Sequence, residues 1–280
     1  MSRIAKAVER AKKSREAHRG EVEALRLRDQ AHEGAPGLMR EQPVYSQTRV
    51  VSLNQSHLEK HRLLTLLDDP VAIDTYNVFC TQLLLKTQAK GHNTIMVTSC
   101  VDGEGKTVTA INLAISIARR VQHTVLLVDL DLRRPRIQHY LGFGAKKGLS
   151  DYLEGDEPIS GLLINPGLPK MVVLPAGRPI RGTTEILGSP KMEKLVREMK
   201  SRYPERYVIF DSPPLLIAPD SQVFSSYMDE IILVVEASKT PGQQVREAIE
   251  LLNGKPLLGL VMNKFKGTRK GYYHYGYGRE

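Results

Sequence analysis

The sequence predicts an α/β fold, a three-layer sandwich in which a mostly parallel central sheet is covered by helices on both faces. Two observations carry this. Short apolar runs at 95–98, 124–128, 171–174, 207–210, 231–235 and 257–262 alternate with segments of helical pattern. Fully apolar strands separated by helices belong to parallel sheets buried on both sides. The second observation is the turn after the first run, Ser99-Cys-Val-Asp-Gly-Glu-Gly-Lys-Thr107, which opens onto an apolar helical stretch at 108–118. A strand, a glycine-rich turn and Lys-Thr at a helix start form the layout of a phosphate-binding loop. The predicted sandwich is therefore that of a P-loop NTPase.

In order along the chain, residues 3–28 read as a helix with arginines and lysines on several sides and a thin apolar stripe of Ile4, Val8 and Ala11. Gly34-Ala-Pro-Gly37 marks a linker. Residues 44–62 are mixed, with Val44 and Val50-Val-Ser-Leu53 as short extended pieces. Asp69-Pro70 starts a helix of about twenty residues, because Asp caps and Pro suits the first helical position. Pro190 to Arg202 and Pro241 to Leu252 read as further helices. Ser99, Asp129, Asp211 and Asn263 fall at the carboxyl ends of strands, where parallel sheets bind ligands.

Each of those ends has a chemical reading. Backbone N–H groups of Gly103, Glu104, Gly105, Lys106, Thr107 and Val108 would surround phosphate oxygens. Lys106 would reach the β- and γ-phosphates, and the Thr107 hydroxyl would ligate Mg²⁺. Asp211 closes a buried strand ahead of Ser-Pro-Pro214, the Walker B arrangement for holding the metal. Asp129-Leu-Asp131 is a second acidic strand end. Its two carboxylates share metal and base work, or else are neutralised as a loop pair by Arg133 and Arg134. Asn263 reads as an adenine contact or a turn starter, and Asp220 as a helix cap first and a site residue second.

Composition narrows the partners. The net charge of +9 is concentrated at the ends: residues 1–28 hold nine Lys/Arg and four Glu (+5), and residues 264–280 hold five Lys/Arg and one Glu (+4). The stretch between is formally neutral, so charge does not support a basic face for nucleic acid. The basic ends suit an acidic partner or peripheral contact with an anionic membrane. No apolar run approaches the ~20 residues of a membrane-spanning helix, and no secretory leader is visible. Cys80 and Cys100 form no disulfide framework, which fits a reducing cytoplasm.

Three motifs together make the resemblance specific. Gly-Glu-Gly-Lys-Thr, then Val-Leu-Leu-Val-Asp-Leu-Asp-Leu-Arg-Arg-Pro, then Val-Ile-Phe-Asp-Ser-Pro-Pro resembles the bacterial protein-tyrosine kinases with Walker A, A′ and B motifs, the autokinases of exopolysaccharide synthesis. Leu174-Pro-Ala-Gly177 and Thr184-Glu-Ile-Leu187 are similar to that family's connecting segments. The resemblance implies ATP and Mg²⁺ as cofactors. Lys106, Asp129, Asp131 and Asp211 become the catalytic set, with Thr107, Asp129 and Asp211 toward the metal. It also implies that Tyr272, Tyr273, Tyr275 and Tyr277 are phosphoacceptors, phosphorylated in trans between subunits.

The implied organisation is a basic helix and linker at 1–43, a kinase domain at 44–265 and a flexible tyrosine-rich tail at 266–280. The implied partners are a membrane-bound chain-length-regulator that activates the kinase, other copies of the chain and a phosphotyrosine phosphatase. The implied location is cytoplasmic, held at the inner membrane through a partner. The chain departs from the family at Cys100, which replaces a loop glycine, and at Asp102, which replaces a proline. Asp74, Asn77 and Cys80 stand where the family often carries a ring-forming Glu-X-X-Arg-X-X-Arg. Val101 lacks the extra lysine of MinD/ParA positioning ATPases, the competing reading. A degenerate nucleotide-binding regulator is a third.

Overall fold

The computed structural model describes residues 48–63 and 69–266. The basic segment 3–28 and the four tail tyrosines lie outside them. The described residues belong to one compact unit, Val44–Glu280. Its strands are β1 (Arg49–Val50), β2 (Thr94–Ser99), β3 (Thr124–Asp129), β4 (Ile164–Asn165), β5 (Met171–Leu174), β6 (Arg206–Asp211), β7 (Glu230–Glu236) and β8 (Leu257–Asn263). The longer helices are α2 (Pro70–Gln88), α3 (Lys106–Ala118), α8 (Pro190–Ser201) and α10 (Gly242–Leu251). Between them lie shorter ones: α1 (Gln55–Lys60), α4 (Ile137–Leu141), α5 (Leu149–Glu154), α6 (Ile159–Leu162), α7 (Thr183–Leu187) and α9 (Asp220–Phe224).

The strands form one eight-stranded sheet in the order β1-β4-β5-β3-β6-β2-β7-β8. Every pairing is parallel except β4 with β5. Alternation along each strand sends side chains to opposite faces. Met96, Leu126, Val128, Phe210 and Leu233 face one core, shared with α5–α10 residues such as Leu195, Phe224 and Ala248. Ile95, Val97, Leu127, Ile209 and Ile232 face the other, shared with Leu58 of α1, Leu83 of α2, Ile111 and Leu113 of α3, and Ile137 of α4. The three layers of the expected sandwich are thus present.

Local chemistry explains the boundaries. The Asp69 side chain accepts from the backbone N–H groups of Val71 and Ala72, and Pro70 stands at the first helical position. Ser189 and Pro190 open α8 in the same way. Val44 lies outside the described residues. Over 48–62 the extended reading holds for Arg49–Val50, which is a strand, whereas Asn54 caps a helix over 55–60 by accepting from His57 N–H. Cys80 is fully buried, so the third position of the replaced ring-forming pattern faces the core. Among the described residues no helix is long and apolar enough to cross a membrane.

Candidate active site

The P-loop takes its shape from two glycines. Gly103 and Gly105 have φ of +85° and +95°, in the left-handed region where a Cβ is strained. Cys100 has no such conformation, so the backbone does not require the family's glycine there. Its side chain turns into the core and is fully buried, and burial, with Glu104 second, pushes the thiol up to about 12. Asp102 points outward and pairs with Arg134 at 3.7 Å, away from the loop interior.

The loop is held from outside by Thr240 and Lys264, which carry no signal in the sequence, and by the side chains of Glu104 and Asn263, for which the sequence suggests other roles. The Glu104 carboxylate is buried and accepts from Val101 N–H (2.9 Å) and from the Thr240 hydroxyl. Its side chain therefore fixes the loop to the turn after β7, leaving only its backbone for phosphate. At the end of β8, Asn263 Nδ2 donates to the Glu104 carbonyl (2.8 Å) and Lys264 Nζ to the Gly103 carbonyl (2.6 Å). A Cβ on Gly105 would stand 2.1 Å from Asn263 Nδ2. Gly105→Ala is therefore expected to strain the loop by about 1–2 kcal/mol and weaken ADP·Mg binding about tenfold or more. Calorimetric titration checks this, and an unchanged Kd would refute it.

The three predicted carboxylates converge. β3 and β6 pair in register so that Asp129 and Asp211 lie directly opposite each other, and β2 runs beside β6 with Val97 opposite Asp211. After β6 the chain stays extended along the end of β2: Ser212 N–H bonds Val97 O (3.0 Å) and Leu215 N–H bonds Ser99 O (2.8 Å). Thr98 and Ser221 hydroxyls both donate to Pro213 O, which fixes the Walker B loop beside the P-loop.

Asp129 is fully buried. Its Oδ1 accepts from Asp131 N–H (3.1 Å), and its Oδ2 from Arg136 and Ile137 N–H (both 3.0 Å), where α4 begins. Burial raises its pKa to about 7, with the neighbouring Asp211 adding to the effect and the α4 N–H groups opposing it. Asp211 is also fully buried, and burial raises it to about 6 against the pull of Lys106 and Thr107. Among the described residues neither Asp211 oxygen accepts a hydrogen bond of good geometry, although the Thr107 hydroxyl is near enough to favour its charged form.

Lys106 lies 3.6 Å from Asp131 Oδ2 and is nearly buried. Burial works against its charge, but Asp211, Asp131, Asp129 and Asp102 outweigh this and hold its pKa above the ordinary value. Asp131 Oδ1 also accepts from Arg134 N–H (2.9 Å).

The arginines do not neutralise the acidic pair. Arg133 instead grips Asp220, with Nε at 2.8 Å and NH2 at 3.3 Å. The expectation that Asp220 caps a helix is thereby corrected. Pro219 holds the N-cap position, and Asp220 is a buried ion-pair centre that also accepts from the Thr183 and Thr184 hydroxyls. This fixes the Asp131 loop to α7 and α9.

A buried carboxylate whose oxygens accept no well-formed hydrogen bond is unstable by itself and suits a divalent cation. The hydroxyl of Thr107, the first residue after the loop lysine, supplies a second hard oxygen. The donors present therefore fit Mg²⁺ carried with a nucleotide, and left-handed glycines at a helix N-terminus fit its phosphates.

Sheet order, loop and carboxylates define a P-loop nucleotide-binding domain, and residues 95–275 match the family described as CobQ/CobB/MinD/ParA nucleotide binding domain. Within that class the chain belongs to the bacterial tyrosine-protein kinase family. It is 30% identical over 204 residues to the tyrosine-protein kinase YwqD of Bacillus subtilis, covering 72% of this chain and 85% of that one. It is 29% identical over 199 residues to the tyrosine-protein kinase CpsD of Streptococcus agalactiae, covering 70% and 86%. The solved VpsO kinase domain shares 31% identity at a TM-score of 0.63, over 71% of this chain and 98% of that domain.

Proposed function

We propose that this chain is an ATP-dependent protein-tyrosine kinase that phosphorylates Tyr272, Tyr273, Tyr275 and Tyr277 of another copy and so regulates exopolysaccharide chain length. The observation that carries the reading is the buried carboxylate set around Lys106, in which neither Asp211 oxygen accepts a well-formed hydrogen bond among the described residues. Simple nucleotide switches need a P-loop lysine and one metal carboxylate, whereas a transfer to tyrosine also needs a proton acceptor.

Thr107 and Asp211, with Asp129 opposite, would hold the metal, and Lys106 with the loop N–H groups would hold the phosphates. Bound Mg-ATP supplies the γ-phosphoryl group and the positive charge that stabilises the departing ADP oxygen. Among the described residues Asp129 Oδ1 accepts one hydrogen bond, which leaves a lone pair for the tyrosine proton. Its pKa near 7 matches that task. As the tyrosine oxygen bonds to phosphorus and the bond to ADP breaks, the phenolic proton passes to Asp129. Asp131 positions Lys106. Asn263 has Nδ2 engaged on the loop and keeps Oδ1 for the adenine amine.

The partners proposed are a membrane-bound chain-length regulator that activates the kinase, other copies of the chain and a phosphatase that resets the tail. Support comes from the basic ends, +5 over residues 1–28 and +4 over residues 264–280, which suit a location at the cytoplasmic side of an anionic membrane without nucleic acid.

Incubation with Mg-ATP, with phosphate mapped by mass spectrometry, tests the reading. Phosphotyrosine is expected at 272–277 and is expected to be lost in Lys106→Met. ATP hydrolysis without protein phosphorylation would overturn it in favour of a positioning ATPase.

A further inference from the structure

The loops that follow β3 and β5 carry a charge pattern that the catalytic reading leaves unused. In the sheet, β8 with Asn263 lies on one side of the P-loop strand, while β6, β3 and β5 follow in turn on the other. The β3 and β5 loops therefore form the wall beyond the carboxylates, on the side opposite Asn263. They are joined to each other: Ile180 N–H donates to Leu132 O (3.0 Å), and the Arg133 guanidinium reaches the Thr183 hydroxyl (2.8 Å).

Within these loops, Arg133-Arg134-Pro-Arg136 and Arg178-Pro-Ile-Arg181 place five arginines and no carboxylate in eight residues. All five are exposed. Three have acidic partners: Asp220 for Arg133, Asp102 for Arg134, and Glu154 with Asp151 for Arg178. Among the described residues Arg136 and Arg181 have no ion pair, although Glu185 lies close to the intervening Gly182. The Arg136 backbone N–H donates to Asp129 itself, so this side chain starts at the catalytic carboxylate.

The acceptor tail does not match this wall before it is modified. Residues 264–280 carry +4 and are repelled by arginines. Each phosphotyrosine adds nearly two negative charges and three acceptor oxygens. Guanidinium binds phosphate bidentately, which makes arginine the preferred residue for this ligand. The tyrosines are one or two residues apart, so a phosphate next to the reacting tyrosine lies roughly 3.5–7 Å along an extended chain. That is within an arginine side chain's reach from a loop at the site.

We propose that this arginine rim, centred on Arg136 and Arg181, is a docking site for phosphotyrosine on the tail of a second copy. The first phosphate then recruits the tail for the next transfer, and phosphorylation of the cluster becomes self-priming. The proposal rests on the kinase reading, but docking itself requires no turnover.

The test separates the two. Peptides of residues 264–280, unmodified or bearing phosphotyrosine at 277, are titrated onto full-length Lys106→Met protein by fluorescence anisotropy at low salt. The primed peptide is expected to bind about tenfold more tightly, with the difference shrinking as salt rises. The preference is expected to vanish in Arg136→Gln/Arg181→Gln and to persist in Arg197→Gln/Arg202→Gln, a control pair on α8 and at its C-cap. Equal binding of the two peptides, or a preference that survives in the rim variant, would overturn the proposal. The same peptides offered with Mg-ATP to protein with an intact Lys106 report on the kinase reading separately. Transfer with equal peptide binding overturns docking alone, and docking without any transfer overturns the kinase alone.

Discussion

Asp211→Asn is expected to abolish phosphoryl transfer, by at least about 10²–10³-fold, while making the metal-free protein more stable near pH 8. The two effects have one cause. The Asp211 carboxylate is fully buried, and among the described residues neither oxygen accepts a well-formed hydrogen bond. Its pKa of about 6 means that the charged form is held against its own preference. A shift of that size from the ordinary carboxylate value corresponds to about 1–3 kcal/mol of destabilisation once the group ionises. Asparagine removes the charge at nearly the same volume and relieves this, but it cannot hold a divalent cation as a carboxylate does.

The pH dependence follows in sign. A carboxyl whose pKa is raised in the folded state binds more protons there than in the unfolded chain. Asp211 at about 6 and Asp129 at about 7 therefore stabilise the fold fully below about pH 4, and that contribution is lost as pH rises through 6 and 7. Metal-free protein is expected to become less stable across this window, with a smaller loss in Asp211→Asn. Added Mg-ADP is expected to raise the melting temperature more at pH 8 than at pH 5.5, because protons and metal compete for the same oxygens. Melting curves at several pH values check both statements. A wild-type protein that gains stability between pH 5 and 7 in the absence of metal would refute the account.

The parts of this site legible in the sequence were those whose chemistry is written in consecutive residues. Lys106 and Thr107 follow their glycines directly, and Asp129 and Asp211 end apolar runs that could only be buried strands. Alternation and length then placed six of the eight strands. Of the other two, each two residues long, β1 overlaps the extended piece read from Val50, and β4 is too short for any periodicity to register. The groups that hold the P-loop from outside were also invisible, for a different reason. Thr240 reaches Glu104 across 136 residues, and Lys264 reaches Gly103 across 161. Neither has a local pattern, since each acts only because β7 pairs with β2, and β8 with β7, in the folded sheet. Asp220 shows the opposite case, a residue whose sequence context suggests a role that it does not have. At a helix start a carboxylate resembles a cap, and only the fold shows Arg133 brought to it from the β3 loop.

That pair leads to a prediction in which the two partners are not equivalent. Asp220 is 1% exposed, whereas the Arg133 side chain is 49% exposed. Removing Arg133 leaves a carboxylate that cannot reach water, with only the Thr183 and Thr184 hydroxyls as donors. Removing the Asp220 charge leaves a guanidinium that can turn out and hydrate. Arg133→Ala is therefore expected to cost about 2–4 kcal/mol of stability, below the full range for an orphaned buried charge because the threonines remain. Asp220→Asn is expected to cost about 1–2 kcal/mol, the size of a lost charge-assisted hydrogen bond. The double variant is expected to be more stable than Arg133→Ala alone, because asparagine there no longer demands a cation.

Activity should follow a different order. Both single variants release the loop that carries Asp131, and both are expected to lower the transfer rate about tenfold to a hundredfold, with little change in nucleotide affinity. Arg133→Lys keeps the charge but lacks the two-pronged grip on Asp220, so it is expected to restore stability more than rate. Urea unfolding and single-turnover phosphorylation of the four variants decide the matter. Equal losses of stability from Arg133→Ala and Asp220→Asn would show that burial of the anion does not govern this contact.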